Sequence, residues 1–169
     1  MGVGYGTRSS TYTVPKRRSH RTVRLDIYNG SRTTRLSPVL INACVSGFTL
    51  RAFGIDDEFC RSIAQTGYTV LDVKYRLAPE HPFPAAFDDT EDVVKWVQSQ
   101  PARFDQAGMS LSGFSAGGNL VLAVASSSLL FSTAKENEES PFHALIAFYP
   151  STDLSQPPQQ RSKSLGQSL

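Results

Sequence analysis

Long apolar runs and cysteines are scarce in this sequence. No apolar run approaches the roughly 18 residues that a membrane span requires, and no secretory signal pattern follows Met1. The two cysteines, Cys44 and Cys60, lie singly in apolar stretches, so they indicate neither a disulfide framework nor a zinc site. These absences predict a chain without a membrane span or a bound metal, and a cytoplasmic location is the default expectation.

Acidic residues are almost absent from the first 40 positions, which hold eight Lys and Arg against one Asp. Clustered cations can attract nucleic acid, but no aromatic-rich binding module or helix-turn-helix pattern accompanies them. We therefore predict a flexible basic arm over residues 1–21 and no nucleic-acid partner. A nucleic-acid-binding protein that uses this arm is the alternative, and it requires strongly salt-dependent binding.

Strand-like and helix-like segments alternate along the rest of the chain, whose 169 residues suit one domain. This alternation predicts an α/β fold, with a mostly parallel sheet and helices on both of its faces. The domain is expected over residues 22–154, with its first strand at a sheet edge, and a polar, disordered tail over residues 155–169. Strands are predicted over Thr22–Tyr28, Pro38–Ala43, Tyr68–Tyr75, Gly108–Ser112 and His143–Tyr149, and helices over 56–65, 87–100 and 116–131.

A glycine-flanked serine stands between a predicted strand and a predicted helix. The segment Gly113-Phe114-Ser115-Ala116-Gly117 matches the nucleophile-elbow pattern, in which a sharp turn holds the serine in a strained backbone conformation. The flanking glycines avoid collisions within that turn. Because Ala116 begins the helix, its N–H is a predicted oxyanion donor. A glycine-rich turn with a merely capping serine is the alternative interpretation.

Two longer segments, Tyr75–Asp89 (YRLAPEHPFPAAFDD) and Gly113–Leu120 (GFSAGGNL), resemble the hormone-sensitive-lipase-like esterases, the fold-3 branch of the α/β-hydrolases. The resemblance covers about Thr22–Leu154 and the leading part of that fold, so an incomplete, truncated α/β-hydrolase fold is expected. It implies a carboxylesterase or lipase that forms an acyl-enzyme on Ser115. It also implies a small-molecule ester substrate and no metal or organic cofactor.

The loop after the strand Pro38–Ala43 departs from the family pattern. Where the family has His-Gly-Gly-Gly, this sequence has Cys-Val-Ser-Gly at positions 44–47. The resemblance implies that the Ser46 and Gly47 N–H groups complete the oxyanion hole, because backbone donors survive a change of side chain. A β-branched residue such as Val45 resists the positive φ values that glycine tolerates. Cys44 as a second nucleophile is a further alternative.

The resemblance also implies a triad acid and a histidine later in the chain than Ser115. The histidines are His20, His81 and His143, and none follows the last acid, Asp153. A truncated, non-catalytic member of the family is therefore the alternative to an active esterase, with His143 as a possible recruited base. We expect the strand ending at Tyr149 to form an exposed sheet edge through which copies of the chain associate.

Overall fold

The computed structural model describes residues 8–16, 19–30, 36–131 and 140–152. Within these ranges six strands form one sheet, in the order β1-β2-β4-β3-β5-β6, accompanied by three helices. The strands are β1 (Arg8–Lys16), β2 (Ser19–Tyr28), β3 (Ser37–Ala43), β4 (Thr69–Lys74), β5 (Phe104–Phe114) and β6 (Ala144–Phe148), and the helices are α1 (Asp57–Gln65), α2 (Ala85–Gln98) and α3 (Ala116–Phe131).

The sheet is mostly parallel, as predicted. Strands β4, β3, β5 and β6 pair in parallel, with Ile41 opposite both Leu71 and Leu111. The hairpin β1–β2 joins them in the antiparallel sense through β4. Because the parallel strands share one direction, the loops that follow β3, β4 and β5 all emerge at the same edge of the sheet.

The amino-terminal part differs from the sequence-based prediction. Instead of a flexible arm throughout residues 1–21, the structure has strand β1 from Arg8 and the start of β2 at Ser19. This segment is rich in Thr, Tyr and Val, which favour extended backbone. The edge position predicted for Thr22–Tyr28 is consequently wrong, because β1 covers that side of β2. Residues 1–7 and the tail over residues 155–169 lie outside the described residues.

Helices cover both faces of the sheet, and the period-two pattern of each strand decides which side chains meet them. Ile41 and Leu71 lie in a large core with residues of α2 and α3. Leu40 and Val70 point the other way and pack with Cys60 of α1. The predicted two-sided α/β layering is therefore confirmed.

Among the described strands, β6 lies at the edge of the sheet opposite β1. Two neighbouring apolar side chains of this short strand, Leu145 and Ile146, are 40% and 42% exposed. The edge predicted at the end of the domain is thus where the sequence pattern put it. It presents apolar side chains next to backbone that pairs with no further described strand, an arrangement that favours association.

Candidate active site

Ser115 is the single residue between β5 and α3, and it lies where the carboxyl ends of the parallel strands meet. Its φ is +51°, a left-handed conformation that is rare for a residue with a side chain. The Ser115 N–H donates to the Phe148 carbonyl oxygen at 2.9 Å, and its own carbonyl accepts from the Asn119 N–H at 3.0 Å. These bonds hold the strained turn that the elbow pattern predicts.

The Ser115 hydroxyl is not a helix cap. No backbone N–H in the described part of the chain donates to Ser115 Oγ, although an N-cap serine would accept from the first turn of α3. The side chain is partly exposed. The capping interpretation of this serine therefore finds no support in the geometry.

Two glycines let the backbone pack tightly around the serine. A Cβ on Gly113 would lie 2.4 Å from the carbonyl carbon and oxygen of Gly117, and a Cβ on Gly117 would lie 2.0 Å from the Ala43 oxygen. Real Cβ atoms do not approach other atoms this closely. The absence of side chains at these two positions thus brings the first turn of α3 against the end of β3, where the loop over residues 44–47 begins.

Most N–H groups around that loop have partners within the protein. The Val45 N–H donates to Asp56 Oδ2 at 3.1 Å, and the Phe48 N–H donates to Ser46 Oγ at 3.0 Å. The N–H groups of Ser46 and Gly47 make no hydrogen bond to any described residue. Two adjacent donors therefore remain for a ligand, next to a turn whose Ala116 N–H begins a helix.

The left-handed backbone conformations of this loop fall after the branched residue. Gly47 has a φ of +56° and Phe48 a φ of +64°, whereas Val45 is not among the described residues with positive φ. The obstacle expected at Val45 is thus avoided, because the left-handed turn begins two positions later, at Gly47. Phe48 is held in its strained conformation by a bond from the Ala78 N–H to its carbonyl oxygen at 2.9 Å.

The thiol of Cys44 is buried in this loop and is poorly suited to be a nucleophile. Burial, and next the negative charge of Asp72, raise the pKa of Cys44 well above its ordinary value. Burial likewise raises the pKa of the Cys60 thiol. The thiolate is the reactive form of cysteine, and a raised pKa keeps both thiols protonated. The alternative of a cysteine nucleophile is therefore not supported.

Beneath the loop lies a buried polar cluster that the sequence analysis missed. Asn42 Nδ2 donates to Asp56 Oδ2 at 3.1 Å and to Asp72 Oδ1 at 2.9 Å, while Ser112 Oγ donates to Asn42 Oδ1 at 2.8 Å. Lys74 forms an ion pair with Asp72. Polar residues within otherwise apolar strands were the available signal. The cluster ties β3, β4 and β5 to the residue that holds the Val45 N–H.

The histidines lie in quite different places. The His143 N–H donates to the Met109 oxygen at 2.7 Å, so His143 lies at the amino end of β6, which runs parallel to β5. Met109 precedes Ser115 by six residues of extended chain, or about 20 Å. His143 is therefore too far away to act as its base. His20 lies in β2, beyond β4 and β3 from the serine, and His81 is exposed near the end of β4.

A cavity of about 600 Å³ opens beside this edge of the sheet. Apolar side chains dominate its wall, and Asn119, which follows Ser115 by one helical turn, contributes a polar group. Ser115 itself is not one of the lining residues. The wall is formed by Phe48, Arg76, Ala78, His81, Phe83, Ala86, Phe87, Asn119, Leu120, Leu122, Ala123, Ser151 and Thr152.

The described residues offer neither a metal-binding cluster nor a membrane-spanning helix. They contain no group of three or more His, Cys, Asp or Glu side chains that could hold a metal ion. No helix in the same part of the chain is long and apolar enough to cross a bilayer.

Known proteins resemble this chain in sequence and in structure. A family model described as alpha/beta hydrolase fold matches residues 45–168. Carboxylesterase NlhH of Mycobacterium tuberculosis is 33% identical over 125 residues, and Gibberellin receptor GID1B of Arabidopsis thaliana is 35% identical over 108 residues. Among solved structures, an esterase of Pyrobaculum calidifontis matches with a TM-score of 0.78 and 31% identity.

These matches cover most of this chain and a smaller part of the relatives. The NlhH match spans 71% of this chain and 37% of that protein, and the GID1B match spans 60% and 30%. The structural match covers 93% of this chain and 50% of the esterase. The chain thus spans half or less of the length of these relatives.

Proposed function

Because this chain belongs to the α/β-hydrolase fold family, we propose that it acts on carboxylic esters with Ser115 as the nucleophile. Relatives include enzymes named as esterases and a protein named as a receptor, so family membership alone does not decide the activity. The proposal therefore depends on the site. The substrate class that it favours is a small-molecule ester.

One arrangement supports the proposal more than any other. The strained Ser115, with its φ of +51°, adjoins a loop in which the N–H groups of Ser46 and Gly47 have no partner among the described residues. The tight approach of Gly117 to Ala43 supports the proposal, because Ala43 directly precedes this loop and Gly117 follows Ser115 by two residues. Acyl transfer needs such a combination, since a nucleophile and oxyanion donors must reach one carbonyl group.

The proposed reaction begins when Ser115 Oγ attacks the ester carbonyl carbon and transfers its proton to a base. The carbonyl oxygen becomes an oxyanion, which accepts hydrogen bonds from the N–H groups of Ala116, Ser46 and Gly47. Collapse of this intermediate expels the alcohol, protonated by the same base, and leaves an acyl group on Ser115. Water then attacks the acyl carbon, and cleavage of the acyl–Oγ bond releases the carboxylic acid and regenerates the serine hydroxyl.

A general base for Ser115 must be within reach of its hydroxyl. His143 lies at the wrong end of the sheet, whereas His81 lies at the correct edge and on the cavity wall. A serine hydroxyl without a base stays protonated and is a poor nucleophile near neutral pH. We therefore expect the 169-residue chain to hydrolyse esters slowly. If no hydrolysis is found, the alternative of a non-catalytic family member is favoured.

Hydrolysis of p-nitrophenyl butyrate by the purified chain tests the proposal. We expect slow, saturable release of p-nitrophenol that disappears in Ser115→Ala, because oxyanion donors and binding leave residual catalysis when a triad is incomplete. His143→Ala serves as the matched control and should leave the rate unchanged. If His81 on the cavity wall acts as the base, His81→Ala should lower kcat and leave KM unchanged.

Two results would count against ester hydrolysis at this site. Turnover that persists in Ser115→Ala would assign the chemistry to another site or to a contaminant. Complete absence of turnover above the Ser115→Ala background would favour a non-catalytic binding protein. Ser115→Ala, His143→Ala and His81→Ala should first show the melting temperature of the parent chain, so that a lower rate does not reflect unfolding.

A further inference from the structure

We propose that Ser46 and Tyr75 are positioning residues for the oxyanion donors, linked by a chain of hydrogen bonds that holds the loop over residues 44–48 in one conformation. The inference rests on the proposed function of this loop. It concerns the Ser46 hydroxyl and the Tyr75 phenol, which contact the loop and not the ester. Its physical basis is a set of four groups whose donors and acceptors match one another.

The two side chains meet in a buried place. Ser46 Oγ and Tyr75 Oη are 2.6 Å apart, and both residues are 1% exposed. Tyr75 Oη also lies 2.7 Å from the Cys44 carbonyl oxygen, to which it donates. On the other side of the serine, the Phe48 N–H donates to Ser46 Oγ at 3.0 Å. The contacts therefore run from Phe48 to Cys44 through two hydroxyl groups.

The direction of each hydrogen bond follows from counting protons. Tyr75 has a single hydroxyl proton, and the Cys44 carbonyl can only accept, so that proton is used there. The Ser46 hydroxyl must then donate to Tyr75 Oη, and its lone pair accepts from the Phe48 N–H. Each hydroxyl donates once and accepts once, which leaves no unpaired polar atom in the chain.

These hydrogen bonds decide which N–H groups of the loop stay available. The hydrogen-bond chain uses the Phe48 N–H, and Asp56 uses the Val45 N–H, so Ser46 and Gly47 keep the N–H groups that remain available. Gly47, with its φ of +56°, lies inside the segment that Tyr75 and Ser46 fasten at both ends. The hydroxyl at position 46 therefore restricts a loop in which a glycine would have more conformational freedom.

Amide hydrogen exchange tests the chain directly and does not require activity. In Ser46→Ala the Phe48 N–H loses its acceptor, and we expect its exchange rate to rise at least about tenfold. Tyr75→Phe, which keeps the ring and removes the phenol, should raise the same rate. The double variant should exchange no faster than about twofold above the faster single variant, because both changes break one chain.

Kinetics on p-nitrophenyl butyrate separate positioning from mere stability. Displaced oxyanion donors destabilise the transition state more than they weaken binding of the ester. We therefore expect kcat to fall about three- to tenfold while KM stays within about twofold. Ser46→Gly, which introduces the residue that the family resemblance implies, should behave like Ser46→Ala. A kcat for Ser46→Gly equal to or above that of the parent chain would overturn the inference.

Two matched variants control for the loss of a hydroxyl elsewhere. Tyr28→Phe removes a buried phenol that donates to Asp57 Oδ1 at 2.5 Å on the face covered by α1. Ser62→Ala removes an exposed hydroxyl that bonds the Glu58 carbonyl within α1. Neither should change kcat or the exchange of Phe48, even where thermal stability decreases.

The outcomes distinguish this inference from the proposed function. Unchanged Phe48 exchange in both Ser46→Ala and Tyr75→Phe overturns the hydrogen-bond chain, whatever the rate of hydrolysis. Turnover that persists in Ser115→Ala overturns the proposed function. The exchange rates of Phe48 still test the hydrogen-bond chain in that case. If hydrolysis is too slow to measure, the exchange rates decide alone.

Discussion

Arg76 binds Asp89 through its main chain and its side chain together. Its backbone N–H donates to Asp89 Oδ2 at 2.9 Å, and its Nε lies 2.9 and 3.1 Å from the two carboxylate oxygens. Asp89 is only 2% exposed, so this charge depends on its partner. The pair joins the segment after β4 to the first turns of α2 and thereby holds one wall of the cavity beside Ser115.

Asp89→Asn should therefore be strongly destabilising. The change weakens the charge-assisted hydrogen bonds that Arg76 donates to a buried carboxylate, and we expect the free energy of unfolding in urea to fall by about 2 kcal/mol. Asp88→Asn makes the same change at the preceding residue of the helix and is the control, since Asp88 is exposed. That variant should change the free energy by less than about 0.5 kcal/mol. Equal effects of the two changes would contradict the burial argument.

Gly117→Ala should disturb the serine turn more than Gly118→Ala. A methyl group at Gly117 would collide with the Ala43 carbonyl oxygen, whereas at Gly118 its nearest neighbour would be the Gly113 oxygen at 3.1 Å. Overpacking of this kind costs about 1–3 kcal/mol or more. Thermal melts should therefore show a clearly lower melting temperature for Gly117→Ala. A smaller effect at Gly117 than at Gly118 would refute the close approach of α3 to β3.

Asp72 should make stability depend on pH between about 4 and 6. Burial raises its pKa from 3.8 to about 6, against the opposing ion pair with Lys74. Because the folded-state pKa is the higher one, the stabilisation is complete below about pH 4 and is lost as pH rises through about 6. The contribution is up to about 3 kcal/mol.

The variant Asp72→Asn isolates this effect, because an asparagine oxygen can still accept from Asn42 Nδ2. Urea unfolding at pH 4 and pH 7 should show the parent chain losing stability relative to the variant as pH increases. Lys74 keeps its ion pair with Asp26 at 3.1 Å in both proteins. A difference between parent and variant that stays constant from pH 4 to pH 7 would contradict the raised pKa.

Copies of the chain should associate through β6. Leu145 and Ile146 are exposed on the strand that lies at the edge of the described sheet, and light scattering is expected to detect oligomers of the parent chain. Ile146→Lys should reduce the average mass, because a charged side chain opposes pairing at an edge. Ile55→Lys is the control, since Ile55 is 68% exposed but lies before α1. A monomeric parent chain, or an equal effect of Ile55→Lys, would refute association through β6.

Much of the fold could be predicted from local pattern. The strand over Pro38–Ala43, the helix that begins at Ala116 and the serine turn between β5 and α3 were recognised because each depends on neighbouring residues. Hydrophobic periodicity and the conformational freedom of glycine act over a few positions. The prediction failed at the amino-terminal segment, where β1 pairs with β2, because charge and polarity had more weight there than extended-chain propensity.

The sequence by itself determined the order of the elements from β2 onward, the family resemblance and the identity of the serine in the turn. The tertiary structure alone decided which loop donors have no partner among the described residues and where each histidine lies relative to Ser115. Ser112 and Asn42 are 70 positions apart, and Ser46 and Tyr75 are 29 apart. Such contacts depend on strand register and on the packing of distant segments. Local propensity carries no information about either.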